Sequence, residues 1–239
     1  MLGAPADAPL PDLLEAVEAT GAQVLVVALD ADVAGACIER PGLALLFVNG
    51  AQALVRQRFT LAHELGHHRL GHASVVDRPV DLTAAVRDPA EVAANAFAAE
   101  FLVPAEAVRR WAAGRTVGLD DVVRLAAAYG VSARMARIRL ETAGALPDRE
   151  RTRRLDAEIE EGLHLPLAAA LGLSGVADGL AAAAAAMPRL PAALRGSALG
   201  AVLAGELTIE QAAERSGRTP LELRRALRAA GLDRLVPAR

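Results

Sequence analysis

Two histidines and a glutamate lie close together in the pattern His-Glu-x-x-His, formed by His63, Glu64 and His67. On an α-helix, residues four positions apart share a face, so both imidazoles can reach one metal ion. Glu64 lies about 100° around such a helix, which suits a carboxylate that contacts a water molecule on the metal. Zinc polarises that water and Glu64 would take its proton. The spacing therefore predicts the chemistry of a zinc hydrolase.

The surroundings of this motif favour a helix in the core, although a surface helix can also carry two solvated histidines. Four of the five histidines fall within ten residues, at His63, His67, His68 and His72. Apolar residues flank the motif, namely Phe59, Leu61, Ala62, Leu65 and Leu70. They give the helix an apolar side, so we expect the motif to lie on a core helix.

A catalytic zinc usually has three protein ligands and one open position, so one ligand is still missing. The candidates in the sequence are His68, His72, Glu91 and Glu100. His68 is one residue from His67 and should point away from the metal. Gly71 and His72 are each displaced by one position from the longer pattern H-E-x-x-H-x-x-G-x-x-H, which argues against the metzincin class.

Glu91 and Glu100 lie on a later predicted helix, from which a glutamate could complete the site. Glu91 has an alternative role, because it stands three residues after Asp88 and could close a capping box at the start of that helix. Spacing alone leaves these two roles of Glu91 open.

Two longer blocks closely resemble the ImmA/IrrE family of metallopeptidases. Residues 59–67 follow the pattern F-T-x-A-H-E-x-G-H, and residues 91–104 follow E-x-x-A-N-x-F-A-x-x-x-L-x-P. Both blocks occur in order and with suitable separation, which is far more specific than His-Glu-x-x-His alone. The resemblance covers roughly residues 10–145.

This resemblance implies a zincin-like catalytic domain in which Glu91, the first residue of the second block, is the third zinc ligand beside His63 and His67. It also implies that Glu64 is the catalytic general base. Asn95 lies one turn after Glu91, where it either contacts a ligand or the substrate, or serves helix packing. Manganese or iron also suits a site of two histidines and one carboxylate.

The predicted elements give an α+β fold class. Three β-rich runs, at residues 23–29, 35–39 and 43–48, follow a helix over residues 10–20, and their spacing suggests a small antiparallel meander. The motif helix should span about residues 51–70, with a loop between Gly71 and Pro79. Asp88 should cap a helix that runs to about Val103.

Beyond this point the sequence predicts helices only, at residues 104–113, 119–129 and 132–142 and then after Pro147. Breaks are expected at Pro166, residues 172–175, Pro188, Pro191 and Gly217. We divide the chain into a metallopeptidase domain (1–115), a helix-turn-helix-like region packed on it (116–147) and a helical C-terminal domain (148–239).

The C-terminal domain contains a second possible helix-turn-helix at residues 205–232. Two capping boxes start its helices, Thr208 with Gln211 and Thr219 with Glu222. Its arginines, Arg218, Arg224, Arg225 and Arg228, could contact DNA phosphates or an acidic partner. A small helical packing module with solvated arginines is the better-supported alternative, because Glu214 and Glu222 dilute the positive charge.

Composition points to a cytoplasmic protein without a membrane segment. The single Cys37 excludes an internal disulfide and fits a reducing compartment. The first five residues lack the basic and apolar regions of a signal peptide. The alanine-rich run at residues 180–187 is too short to span a bilayer.

We therefore predict a zinc-dependent endopeptidase. The family resemblance implies a protein substrate, an Xre-type helix-turn-helix repressor whose cleavage would derepress stress-response or mobile-element genes. The alternative is a non-proteolytic anti-repressor, a DNA- or protein-binding regulator with a vestigial or structural metal site. Glu64 argues against this alternative, since a structural site does not need it. The residue that stabilises the transition state stays open between Tyr129, His68, His72 and several arginines.

Overall fold

The computed structural model describes residues 13–27, 29–40, 43–72, 75–77, 87–173 and 196–229. The first part contains α1 (Leu13–Glu18), β1 (Gln23–Val27), β2 (Gly35–Arg40), β3 (Leu43–Asn49), α2 (Leu54–Leu70) and β4 (Val75–Asp77). Helices follow: α3 (Pro89–Leu102), α4 (Ala105–Ala112), α5 (Leu119–Tyr129), α6 (Ala133–Thr142), α7 (Arg149–Glu160) and α8 (His164–Ala170). The last three are α9 (Ala198–Leu203), α10 (Ile209–Ser216) and α11 (Pro220–Ala229). This mixed α+β architecture is consistent with a zincin-like domain.

The four strands form a mixed sheet in the order β1-β3-β2-β4. Strand β1 pairs in parallel with β3, while β2 is antiparallel to both β3 and β4. The predicted antiparallel meander is therefore wrong. Strand β3 lies between β1 and β2, and its run from Leu45 to Val48 is buried on both faces, which suits an inner strand. Local spacing shows where strands are but not which strand pairs with which.

Strand β4 was predicted as part of a loop between Gly71 and Pro79. Its three residues pair with β2, with Gly35 opposite Asp77 and Cys37 opposite Val75. The Ala34 amide also donates a hydrogen bond of 2.7 Å to the Asp77 carbonyl. A strand of three residues is too short to reveal a period of two in the sequence.

The two faces of the sheet bury different helices. Because side chains alternate along a strand, Val24, Leu46 and Val48 lie on one face and pack with Leu61 and Leu65 of α2. The opposite face carries a second group of buried side chains, which includes Leu25, Val27, Ile38, Leu45 and Phe47. Leu203 of α9 and Leu227 of α11 belong to this second group. The sheet therefore lies between the motif helix and the C-terminal helices.

Helices α2 and α3 approach each other closely at Gly66. A Cβ atom at Gly66 would lie only 3.2 Å from the Cα and carbonyl oxygen of Ala94 and from the Phe97 ring. Ala94 and Ala98 are both fully buried on the facing side of α3. Small residues at this crossing bring the first turn of α3 next to the histidines of α2.

Helices α5 and α6 confirm the two helices predicted at residues 119–129 and 132–142, and they pack against the elements around the motif. Arg58 of α2 donates from Nε to the Gly130 carbonyl (3.1 Å) and from Nη2 to the Tyr129 carbonyl (3.3 Å). Arg139 of α6 donates to the Val103 carbonyl (2.8 Å). Both arginines satisfy helix-terminal carbonyls, which fixes the helix pair against α2 and α3.

Some helix boundaries differ from those predicted. Helix α2 begins at Leu54 because Gln57 Nε2 donates to the Gly50 and Gln52 carbonyls and holds the preceding residues in a turn. Pro166 does not break the chain, because it lies in the first turn of α8, where its missing N–H is not needed. The interruption lies instead at Gly162, with φ of 78°.

The last two helices, α10 and α11, start as the sequence predicts. Thr208 and Gln211 form a capping box, and Thr219 exchanges hydrogen bonds with Glu222. DNA binding by α10 and α11 stays a prediction. The division of the chain into three domains also stays a prediction. The start of the first helix at residues 10–12, the breaks at Pro188 and Pro191 and residues 230–232 lie outside the described residues. Within the described part, none of the helices is long and apolar enough to cross a bilayer.

Asn49 at the end of β3 holds the loop between β1 and β2. Its Nδ2 donates to the carbonyls of Leu29, Asp30 and Val33, and its Oδ1 accepts from the amides of Leu29 and Ala51. The side chain is 1 % exposed. It therefore replaces water for main-chain groups that the fold buries.

We expect Asn49→Ala to lower the free energy of unfolding by roughly 2–4 kcal/mol, because several buried main-chain groups lose their partner. Urea denaturation followed by circular dichroism measures this change. Gln52→Ala is the matched control, since the side-chain amide oxygen of Gln52 has no partner among the described residues. An equal effect of the two substitutions would contradict the structural role of Asn49.

Candidate metal centre

Helix α2 points two imidazoles at the same place. His63 and His67 are one turn apart, both are 0 % exposed, and their Nε2 atoms lie 2.9 Å from each other. Burial lowers the pKa of His67 to about 4, so its imidazole is neutral at pH 7 and has a lone pair to offer. Two imidazoles that face each other in the core have the arrangement of metal ligands.

Helix α3 brings Glu91 to these histidines. Asp88 caps the helix by accepting from the Ala90 amide (2.8 Å), and Pro89 occupies the first turn. Glu91 follows in that turn, with Oε2 3.1 Å from His63 Nε2 and Oε1 3.4 Å from His67 Nε2. The structure thus brings together the three residues that sequence and family resemblance proposed as ligands.

A fourth acidic side chain, Asp77 of β4, joins the group and was not predicted. Its Oδ2 lies 3.1 Å from His63 Nε2 and 3.6 Å from His67 Nε2, and the residue is 2 % exposed. The one signal in the sequence is an acidic residue after two valines, between the two family blocks. Asp77 becomes a ligand candidate only when the pairing of β4 with β2 is known, and the structure alone reveals that pairing.

The outer nitrogen of each imidazole also has a partner. Asn95 Oδ1 lies 3.0 Å from His63 Nδ1, and His72 Nδ1 lies 2.8 Å from His67 Nδ1. A proton on His63 Nδ1 donated to Asn95 leaves Nε2 as the lone-pair nitrogen that faces the carboxylates. Asn95 therefore contacts a proposed ligand, which is one of the two roles that its position in the sequence allowed.

Glu64 is fully buried beside the group. Its carboxylate oxygens accept no hydrogen bond from an N–H or hydroxyl group of the described residues. Burial raises the pKa of Glu64 well above its usual range, and the charge of Asp77, a hydrogen bond with the Asp77 carboxyl and the charge of Glu91 raise it further. Gly35 of β2 makes room for it, because a Cβ atom there would collide with Glu64 Oε1.

The donor set fits a divalent cation. His63 Nε2 faces Glu91, Asp77 and His67 within about hydrogen-bond distance, yet one proton on this nitrogen could satisfy only one of them. The four donor atoms all lie within 4.8 Å of one another. Buried carboxylates need a compensating positive charge, and a cation among these atoms would provide it.

The other candidates for the third ligand lie elsewhere. Glu100 forms an ion pair with Arg139 and accepts from the Ala105 amide (3.1 Å). His68 points away from the group, as expected, with Nδ1 2.7 Å from Glu39 Oε1. Tyr129, one candidate for stabilising the transition state, is buried in the hydrophobic core. The choice among the remaining candidates stays open.

We expect His72→Ala to weaken metal binding by about 10–100-fold, because partners of ligating imidazoles contribute to metal affinity on this scale. Competition with a chromogenic chelator measures the affinity. His68→Ala is the matched control, since this nearby histidine contacts Glu39 and not the metal group. If both variants bound zinc as tightly as the unmodified protein, His72 would have no role in orienting His67.

Comparison with known proteins places the metal group in a recognised family segment. A family model described as Peptidase_M78, the IrrE N-terminal-like domain, matches residues 22–141 of the 239-residue chain. The search of curated proteins gave no match. The matched segment contains α2, β4 and α3, and with them all the residues of the metal group and Glu64.

Proposed function

The chain belongs to the IrrE N-terminal-like peptidase family, and from this premise we propose that it is a zinc-dependent endopeptidase. One observation carries the proposal. The buried group of His63, His67 and Glu91 has an uncompensated carboxyl, Glu64, directly beside it. A purely structural metal site needs no such group, whereas hydrolysis does.

In this proposal His63, His67 and Glu91 hold the metal, which supplies Lewis-acid chemistry when it is bound. A nearby cation favours the charged form of a carboxyl, so Glu64 would begin the reaction as a carboxylate. It would take a proton from the attacking water as the water oxygen bonds to the peptide carbonyl carbon. It would then give that proton to the leaving amine nitrogen as the C–N bond breaks.

Asn95 and His72 would keep the two imidazoles in place during this reaction. Each contacts the Nδ1 atom of one histidine, and so leaves Nε2 free to bind the metal. Side chains of this kind fix the tautomer and the orientation of the ring. They are positioning residues, because neither would touch the substrate.

For the substrate we propose an Xre-type helix-turn-helix repressor, whose cleavage would derepress stress-response or mobile-element genes. The support is the resemblance of residues 59–67 and 91–104 to the ImmA/IrrE motifs together with the family match. We favour DNA binding by the basic C-terminal helices less. Arg224 of α11 already pairs with Glu210 of α10, so this arginine would have to leave that contact to reach a phosphate.

The test mixes the purified zinc-loaded protein with the repressor encoded nearest to it, and mass spectrometry identifies the products. One discrete cut that a chelator prevents would support the endopeptidase and give the scissile bond. Release of intact repressor from its operator, with and without chelator, would instead support the non-proteolytic anti-repressor. Cleavage that survives complete removal of metal would contradict the proposal.

A further inference from the structure

We propose that Asp77 is a fourth protein ligand of the metal, so that the described conformation holds the ion in a closed site of two imidazoles and two carboxylates. The inference rests on the proposed metal site, and it goes beyond that site because a peptidase needs an open position on its zinc. Asp77 would occupy that position in this conformation.

The distances between the donor atoms match those expected for four-coordinate zinc. Zinc bonds to imidazole nitrogen and carboxylate oxygen are about 2.0–2.1 Å long, which gives a tetrahedron with edges of about 3.3–3.4 Å. Asp77 Oδ2 lies 3.1 Å from His63 Nε2 and 3.6 Å from His67 Nε2. The other edges are 2.9 Å between the two histidines and 3.1 and 3.4 Å from them to Glu91. Asp77 therefore fits as well as Glu91 does.

The Asp77 Oδ2 atom is buried and lacks a regular hydrogen-bond donor among the described residues, while it faces the two imidazoles and interacts with the Glu64 carboxyl. The main chain of Asp77 is held by its pairing with Gly35 of β2 and by the amide of Ala34, the residue before β2, so the side chain remains at the metal group. An uncompensated buried carboxylate is strongly unfavourable, and a direct bond to a cation removes that cost.

Charge balance supports the same conclusion. Within the ligand set, Asp77 and Glu91 supply two negative charges to a divalent ion, whereas Glu91 alone supplies one. In surroundings that exclude water, neutralising the charge of the ion stabilises the closed site. A substrate carbonyl could then reach the ion only if Asp77 moves away or if the ion accepts a fifth ligand. The described conformation is therefore a latent state of the proposed peptidase.

The test uses the full chain loaded with Co²⁺, whose visible absorption reports its coordination, and acetohydroxamate as a small metal-binding probe. Acetohydroxamate should scarcely change the spectrum of the unmodified protein. In Asp77→Ala the position is vacant, so we expect the probe to bind at least about 10-fold more tightly and Zn²⁺ to bind about 10-fold or more weakly. Glu39→Ala, which removes a carboxylate outside the group, is the matched control and should behave like the unmodified protein.

Equal spectra and equal acetohydroxamate affinity in the unmodified protein and Asp77→Ala would overturn the inference while leaving the proposed peptidase intact. If the unmodified protein bound neither Co²⁺ nor Zn²⁺, the metal site itself would fall, and the inference with it. Should Asp77→Ala not fold, Asp77→Asn keeps the volume of the side chain and the pairing of β4. Its amide is a much weaker ligand than a carboxylate, so the same direction of change is expected.

Discussion

Glu64→Gln should remove most of the cleavage activity while leaving the metal content of the protein unchanged. The amide has nearly the same shape as the carboxyl but cannot take a proton from water, so the loss of general-base catalysis should slow cleavage by about 10²–10⁴-fold. The side chain is fully buried and accepts no hydrogen bond from an N–H or hydroxyl group of the described residues, so the substitution removes no such bond. Timed mass spectrometry of the cleaved repressor measures the rate, and elemental analysis measures the metal.

Glu106→Gln is the control for Glu64→Gln, because Glu106 lies on the exposed side of α4 and pairs with Arg109. It should cleave at the rate of the unmodified protein. Undiminished cleavage by Glu64→Gln would exclude Glu64 as the general base. Loss of metal together with activity would mean that Glu64 acts as a ligand and not as a base.

His63→Ala should lose the metal and the activity together. Structural zinc sites in small peptides bind with about 10–16 kcal/mol, so one of three or four ligands accounts for roughly 10²–10³-fold or more in affinity. Zinc binds the folded state, so it should raise the melting temperature of the unmodified protein and have little effect on His63→Ala. Thermal denaturation with and without zinc measures this difference.

His68→Ala serves as the control for His63→Ala, since it removes an imidazole that contacts Glu39 outside the metal group. It should keep the full increase in melting temperature on addition of zinc. The same increase in His63→Ala as in the unmodified protein would show that the metal binds elsewhere.

Several parts of this structure follow from local sequence. The helix that carries Glu91 starts at the residues that cap helices well, Asp88 and Pro89, and α5 covers the predicted residues 119–129. The spacing of His63 and His67 placed two imidazoles on one face because the helical period is local. Glu91 needed the family blocks as well, since spacing allowed it a second role in a capping box.

Other parts depend on contacts between residues distant in the chain. The predicted order of the strands was wrong because β1 pairs with β3, although β2 lies between them in the sequence. No local periodicity of the residues specifies that pairing. Asp77 was missed for the same reason. Its place beside His63 depends on the pairing of a three-residue strand with β2, opposite Gly35. A carboxylate becomes a ligand candidate only when this register is known.

Helices pack on both faces of the sheet, and this affects how cooperatively the protein unfolds. The family segment ends at residue 141, yet Leu203 and Leu227 cover the face of the sheet that carries Leu25 and Phe47. A fragment that stops at the family boundary would expose this apolar face to water and should aggregate. We therefore expect the C-terminal helices to unfold together with the sheet that carries the metal group on its opposite face. Metal binding should then slow amide hydrogen exchange in α9 and α11, on the other side of the sheet.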